Sequence, residues 1–176
     1  MKQILVVVDM QKDFIDGALG TREAEAIVPA AAARIREARK AGAEIYATLD
    51  THEADYLESR EGRRLPVPHC IRNTDGWQLN PEIREALGNC VLVEKPTFGS
   101  VRLPELIRER TDPDEPPAIE LLGLCTDICV VSNALLLKAA FPEAEIQVRS
   151  NCCAGVTPEK HRAALESMAS CQIEIL

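Results

Sequence analysis

Six side chains in this sequence have the types and positions to do chemistry together: Asp9, Asp50, His52, His69, Lys95 and Cys129. Cys129 stands in the run Gly123-Leu124-Cys125-Thr126-Asp127-Ile128-Cys129-Val130, between an apolar segment and a helical one. Thr126 or Asp127 can cap the helix by accepting backbone N–H bonds. Cys129 then falls in the first helical turn, where free N–H groups and the helix dipole favour a thiolate. The same N–H groups can hold a developing oxyanion. A thiol nucleophile needs a base. His161 lies in the charged stretch Glu159-Lys160-His161-Arg162 and reads as solvent-exposed, while the other two histidines have a better use. A carboxylate remains, and Asp9 ends the first apolar run, Ile4 to Val8. Lys95 ends another; beside the acid and the thiol it would keep Asp9 ionised and favour the thiolate. The ordinary alternatives are a packed core thiol for Cys129 and a structural ion pair for Asp9 and Lys95.

Asp50, Thr51 and His52 follow a second apolar run. In extended chain, residues two apart point to the same side, so Asp50 and His52 can converge on one ion. His69 comes seventeen residues later, in Pro66-Val67-Pro68-His69-Cys70. Two histidines and one carboxylate leave coordination positions open and suit Zn²⁺, Fe²⁺ or Mn²⁺. Loop polarity explains these residues equally well, with His52 as a helix cap or surface group. Cys70 reads as a buried thiol rather than a fourth ligand. Cys125 and Cys129 stand four apart, which is not the two-residue-gap redox motif.

These residues must be carried by a framework, and the pattern supplies one. Gln3–Val8, Glu44–Leu49, Val91–Glu94, Ala118–Leu124, Glu145–Arg149 and Ile173–Leu176 read as strands. Ile27–Lys40, Pro104–Arg110, Asp127–Ala140 and Pro158–Ser170 read as helices, with Gly42 as a stop after the first. Strands alternating with helices imply crossovers and a parallel sheet. In open parallel sheets a site lies beyond the carboxyl ends of the strands. Asp9, Asp50 with His52, Lys95 and the Cys125–Cys129 turn all fall at that edge.

Bulk properties narrow the class. The length of 176 residues suits one domain spanning 1–176 with a real core. A net charge of −8 repels phosphate backbones and excludes nucleic acid as an expected partner. Ile4 to Val8 is too short for a membrane span or a signal-peptide core, so no membrane association and a cytoplasmic protein are expected. Seven cysteines, an odd number, point to reduced thiols, and Cys90, Cys152, Cys153 and Cys171 read as core or loop residues.

Taken in order, the motifs resemble the isochorismatase-like cysteine hydrolases, and among them the nicotinamidases. The likeness covers essentially the whole chain. It rests on Asp9-Met10-Gln11-Lys12-Asp13-Phe14, Asp50-Thr51-His52, Pro68-His69-Cys70, Glu94-Lys95 and Thr126-Asp127-Ile128-Cys129-Val130. The resemblance implies a Rossmann-like three-layer α/β/α fold with a parallel six-stranded sheet. It implies hydrolysis of a small carboxamide, nicotinamide foremost, through a cysteine thioester. Cys129 would attack, Asp9 would shuttle the proton, and Lys95 would hold both. The backbone N–H groups of Cys125 and Cys129 would bind the oxyanion, after a cis Leu124–Cys125 peptide. Asp50, His52 and His69 would hold a divalent metal, Zn or Fe or Mn, that orients the pyridine nitrogen. Phe14 would line the ring pocket, where ordinary core packing is the alternative. The resemblance also implies a small-molecule amide partner and self-association. Nicotinamidases of this kind carry an aromatic residue three before the second metal histidine; here that place holds Pro66, and Trp77 lies later. Another small amide or carbamoyl compound therefore stays open as substrate. A catalytically silent small-molecule-binding member is the remaining alternative, against which the intact Asp9, Lys95 and Cys129 set argues.

Overall fold

The structure, a computed structural model, describes residues 1–176. Its strands are β1 (Gln3–Val8), β2 (Glu44–Asp50), β3 (Val91–Lys95), β4 (Ala118–Leu124), β5 (Glu145–Ala154) and β6 (Glu174–Ile175). They form one six-stranded sheet, ordered β3-β2-β1-β4-β5-β6, in which every neighbouring pair is parallel. The helices are α1 (Lys12–Ile15), α2 (Arg22–Lys40), α3 (Arg60–Arg64), α4 (Pro81–Leu87), α5 (Arg102–Arg108), α6 (Val131–Ala140) and α7 (Pro158–Ser170).

The strand order reverses between β1 and β4. Right-handed crossovers therefore put α2 and α4 on one face and α5, α6 and α7 on the other. The packing agrees: α2 lies against α4, and α6 against α5 and α7. β1 sits in the middle of the sheet, and Ile4 to Val8 are buried without a break, as a strand covered on both faces requires. β3 is an edge strand, with Leu92 and Glu94 exposed and Val93 and Lys95 buried.

Several elements differ from the sequence reading: α1, α3 and α4 were not read from it, β6 is shorter, and α5 begins at Arg102, so Pro104 lies inside it rather than opening it. Helix α2 starts at Arg22 rather than Ile27, because the Thr21 hydroxyl accepts the Ala24 N–H at 3.0 Å and opens the helix earlier. Its polar first turn precedes the apolar stripe by which it was recognised. β5 runs on to Ala154 after a register shift opposite Leu121–Gly123, burying Cys152 and Cys153. Residues Thr126–Val130 form a separate π-helical turn ahead of α6, not the first turn of an α-helix. Cys125 is its N-cap and no side chain caps it, so neither Thr126 nor Asp127 has the expected capping role.

Candidate active site

Four parallel strands deliver the reactive residues to one edge. Asp9 leaves β1 with φ 47°, a left-handed conformation that aspartate tolerates. Its N–H donates to Thr48 O at 3.2 Å, and its Oδ1 accepts the Thr48 hydroxyl at 2.6 Å. Oδ2 lies 2.7 Å from Lys95 Nζ, a fully buried contact between opposite charges. Lys95, the last residue of β3, also reaches Asp50 Oδ1 at 3.2 Å, Thr97 O at 3.0 Å and Cys129 Sγ at 3.5 Å. One buried ammonium thus touches two carboxylates and the sulfur.

At the end of β4, Gly123 has φ +124°, and a Cβ there would come 2.1 Å from Val8 O. Only glycine lets β4 lie this close to β1 and set the turn beside Asp9. The Leu124–Cys125 peptide is cis. Cys125 O accepts the N–H groups of Ile128 and Val130, both at 3.1 Å, which closes the turn.

Burial raises Asp9 above the usual carboxylate range, with the Lys95 charge opposing it. Burial would lower Lys95, but the neighbouring carboxylates, Asp9 first and then Asp50, push it up, so it remains an ammonium. Cys129 is held well above an ordinary thiol, first by burial and then by the Asp9 charge, with Lys95 only partly offsetting them. This corrects the thiolate expected from a helix terminus: the resting sulfur is a thiol, because burial and two carboxylates outweigh one ammonium. Cys125 is likewise pushed up to about 12 by burial, which makes its thiol inert and disfavours a redox pair.

Asp50, His52 and His69 converge as well. Their donor atoms all lie within 4.8 Å of one another, and all three residues are buried. Asp50 Oδ2 is 3.1 Å from His52 Nε2 and 3.6 Å from His69 Nε2. His69 Nδ1 sits 2.8 Å from Val67 O, which leaves Nε2 to face the cluster. Burial would raise Asp50, but hydrogen bonds from both histidines and the Lys95 charge hold it below the usual carboxylate range. A buried N, N, O⁻ donor set of this kind can hold a divalent metal.

Some neighbours were not legible in the sequence. Glu61 Oε1, on α3, lies 3.7 Å from His52 Nε2 and 3.8 Å from His69 Nε2. Only the fold reveals that Glu61, on a short charged helix, turns inward. Tyr56 packs on both imidazoles, with ring centroids 4.7 Å from His52 and 5.0 Å from His69. Gln11 bonds the Asp50 backbone in both directions, donating to its C=O at 2.9 Å and accepting its N–H at 2.8 Å.

A small cavity of about 50 Å³ opens onto Cys129, and its walls include Phe14, Leu19, Leu65, Phe98, Asp50 and Glu61. Phe14 is thus one wall of the cavity beside Cys129. Trp77 does not take the place of an aromatic at position 66: its Nε1 donates to Thr51 Oγ1 at 2.9 Å and its ring lines a different cavity. His161 is not solvent-exposed either. It is half-buried, with Nδ1 2.8 Å from Thr126 Oγ1.

A mostly apolar cavity at the carboxyl edge of a doubly wound sheet, beside a thiol, a carboxylate and an ammonium in contact, can perform acyl transfer. Comparisons with known proteins agree with the fold. The structure is similar to a zinc-complexed pyrazinamidase of Pyrococcus horikoshii, with a TM-score of 0.82 and 29% identity over 100% of this chain and 99% of that one. It is similar to a nicotinamidase/pyrazinamidase from Bacillus subtilis, with a TM-score of 0.85 and 26% identity over 99% of each. An N-carbamoylsarcosine amidase from Thermoplasma acidophilum gives 0.80 and 26%, over 99% of this chain and 95% of that one. The isochorismatase domain model matches residues 3–176, so the chain, β1 to β6, belongs to the isochorismatase family of hydrolases.

Proposed function

We propose that the protein hydrolyses a small uncharged carboxamide, nicotinamide first among them, to the carboxylic acid and ammonia. The observation that carries this reading is the contact of Lys95 Nζ with both Asp9 Oδ2, at 2.7 Å, and Cys129 Sγ, at 3.5 Å, beside the cavity. Asp9 takes the thiol proton as Sγ attacks the amide carbon, and the oxyanion rests on the Cys125 and Cys129 N–H groups. No protein acceptor takes the Cys125 N–H, which fits that task. Asp9 then passes the proton to the departing nitrogen, and ammonia leaves a thioester. Asp9 next deprotonates a water that attacks the thioester, and the thiol is regenerated with the acid product. Lys95 holds the two reacting groups together and balances the charge moving between them.

Asp50, His52 and His69 would hold a divalent ion, which supplies a Lewis-acid anchor for a ring nitrogen of the substrate. The carboxylates of Asp9, Asp50 and Glu61 disfavour anionic substrates. The cavity walls, Phe14, Leu65 and Phe98 among them, suit a flat apolar ring. A second reading, a carbamoyl compound as substrate, is favoured by the likeness to the carbamoylsarcosine amidase and by Pro66 in place of an aromatic residue.

The test is ammonia release from nicotinamide, pyrazinamide, aliphatic amides and carbamoyl compounds, for the parent and Cys129→Ala. Turnover of the aromatic amides is expected, with Cys129→Ala slower by at least about a thousandfold. Turnover confined to carbamoyl compounds selects the second reading, and no turnover on any of them rejects both.

A further inference from the structure

We propose that His161 is a positioning residue for the nucleophile turn: its imidazole holds the Thr126 hydroxyl and thereby sets the reactivity of Cys129. Thr126 is fully buried and lies between Cys125 and Cys129. A threonine at the start of a helical turn ordinarily caps it, yet this hydroxyl caps nothing. It points away from the cavity to His161 Nδ1, 2.8 Å off.

The next residue is held from the same side. Asp127 Oδ1 accepts the Val156 N–H at 2.9 Å. The chain between β5 and α7 is pressed onto the turn so closely that a Cβ on Gly155 would lie 2.8 Å from His161 N and 2.9 Å from Asp127 Oδ1. The first turn of α7 fixes the imidazole in turn. Pro158 opens it, Thr157 Oγ1 accepts the Lys160 N–H at 3.3 Å, and Thr157 O accepts the His161 N–H at 2.9 Å. Behind the imidazole lies a cavity of about 290 Å³, lined by Ile27, Cys153 and Pro158 among others. Removing the ring opens Thr126 toward that cavity and brings no other donor to it.

The physical consequence follows from where the turn leads. The Cys125 and Cys129 N–H groups and the sulfur are all carried by a five-residue π-helical turn and its N-cap residue, with no side-chain cap. Rotation at Thr126 moves all three relative to Asp9 and Lys95, which belong to other strands. A misplacement of about 1 Å at a reacting group can cost on the order of a hundredfold in rate. Asn133 Nδ2 holds the far end of the turn by donating to Cys129 O at 2.8 Å, and the tethers at Thr126 and Asp127 oppose such a rotation at its start.

The inference rests on the proposed amidase chemistry only for its kinetic arm; the alkylation arm stands without it. The experiment is a double-mutant cycle on the full chain with Thr126→Val, His161→Ala and the pair, plus His161→Asn, which keeps a polar atom near the Nδ1 position. The second-order rate of Cys129 alkylation by iodoacetamide is followed by mass spectrometry of the Cys129 peptide. We expect each single change to slow alkylation roughly tenfold, the pair to be no slower than either, and His161→Asn to recover most of the loss. In amide turnover the loss should fall on kcat, with KM within about twofold. Parental alkylation rates in the single variants, or additive effects in the pair, overturn the proposal. So does faster alkylation, which would mean that the ring merely shields the sulfur. If His161→Ala fails to fold, Thr126→Val and His161→Asn carry the same comparison. A parent that turns over no amide rejects the amidase reading and leaves the alkylation result to decide this one.

Discussion

At Asp50 one carboxylate serves two neighbourhoods. Oδ1 lies 3.2 Å from Lys95 Nζ, and Oδ2 lies 3.1 Å from His52 Nε2. The metal-competent cluster and the thiol-activating group therefore share a residue, and neither can be repacked alone. Asp9 is the other residue under tension. It must be ionised to take a proton, yet burial raises it. Amidase activity should accordingly fall on acidification through a value above the ordinary aspartate pKa of about 3.9. A kcat/KM profile with its acid limb at or below that value would contradict the assignment. Asp9→Asn, which keeps the shape and loses the base, should lower kcat by roughly 10²–10⁴-fold while leaving the fold intact by circular dichroism. Glu61→Gln removes a carboxylate facing both imidazoles. Metal affinity, read by chelator competition, should drop about 10–100-fold.

Elements place these residues through contacts that look incidental in the sequence. Gln11 follows β1 and is fully buried, and besides Asp50 it bonds Trp77 O at 2.9 Å. It joins the end of β2 to the segment that carries His69. Gln11→Leu would strand two buried backbone groups of Asp50 and the half-buried Trp77 C=O, and urea unfolding should show a loss of about 2–4 kcal/mol. Unchanged stability would show that the pairing is dispensable. The existence of six strands was legible because each apolar run ends at a polar residue or turn. The character of the 126–130 turn was not, because Asp127–Ala140 has continuous helical spacing and a single π-helical turn is too short to show its different period. His161 was misread for a related reason. Its charged neighbours Lys160 and Arg162 are adjacent in sequence, but adjacent residues on a helix point about 100° apart. They say nothing of the side that His161 faces.

Across the molecule, helix α2 is tied to strands β4 and β5 through one buried carboxylate. Glu120 of β4 accepts Arg34 from α2 at 2.9 and 2.7 Å, and Arg149 from β5 at 2.6 Å. Burial would raise Glu120, but the two guanidinium groups hold it below the usual range. Its folded value is thus lower than its unfolded value of about 4.3. The stability it contributes is present above pH 4.3 or so and is lost as pH falls through the folded value. Glu120→Ala should cost about 2–3 kcal/mol at pH 7, and the gap to the parent should shrink as pH drops below about 4. A gap that stays constant down to pH 3 would contradict the linkage. No helix is long and apolar enough to cross a membrane, in line with the shortness of the apolar runs.

The sequence by itself determined the parallel αβ alternation and the side chains gathered at one edge. Both follow from local rules: apolar periodicity makes the elements, and a strand's last residue sits at its carboxyl end by definition. Asp9, Lys95 and the Asp50–His52 pair could be read this way, since each is anchored by an adjacent strand. Tertiary structure alone decided what burial does to these groups, and it turned an expected thiolate into a thiol. It also decided the inward turn of Glu61 and the grip of His161 on Thr126. Those depend on distances between segments far apart in the chain and on the water excluded between them, neither of which is encoded in local spacing.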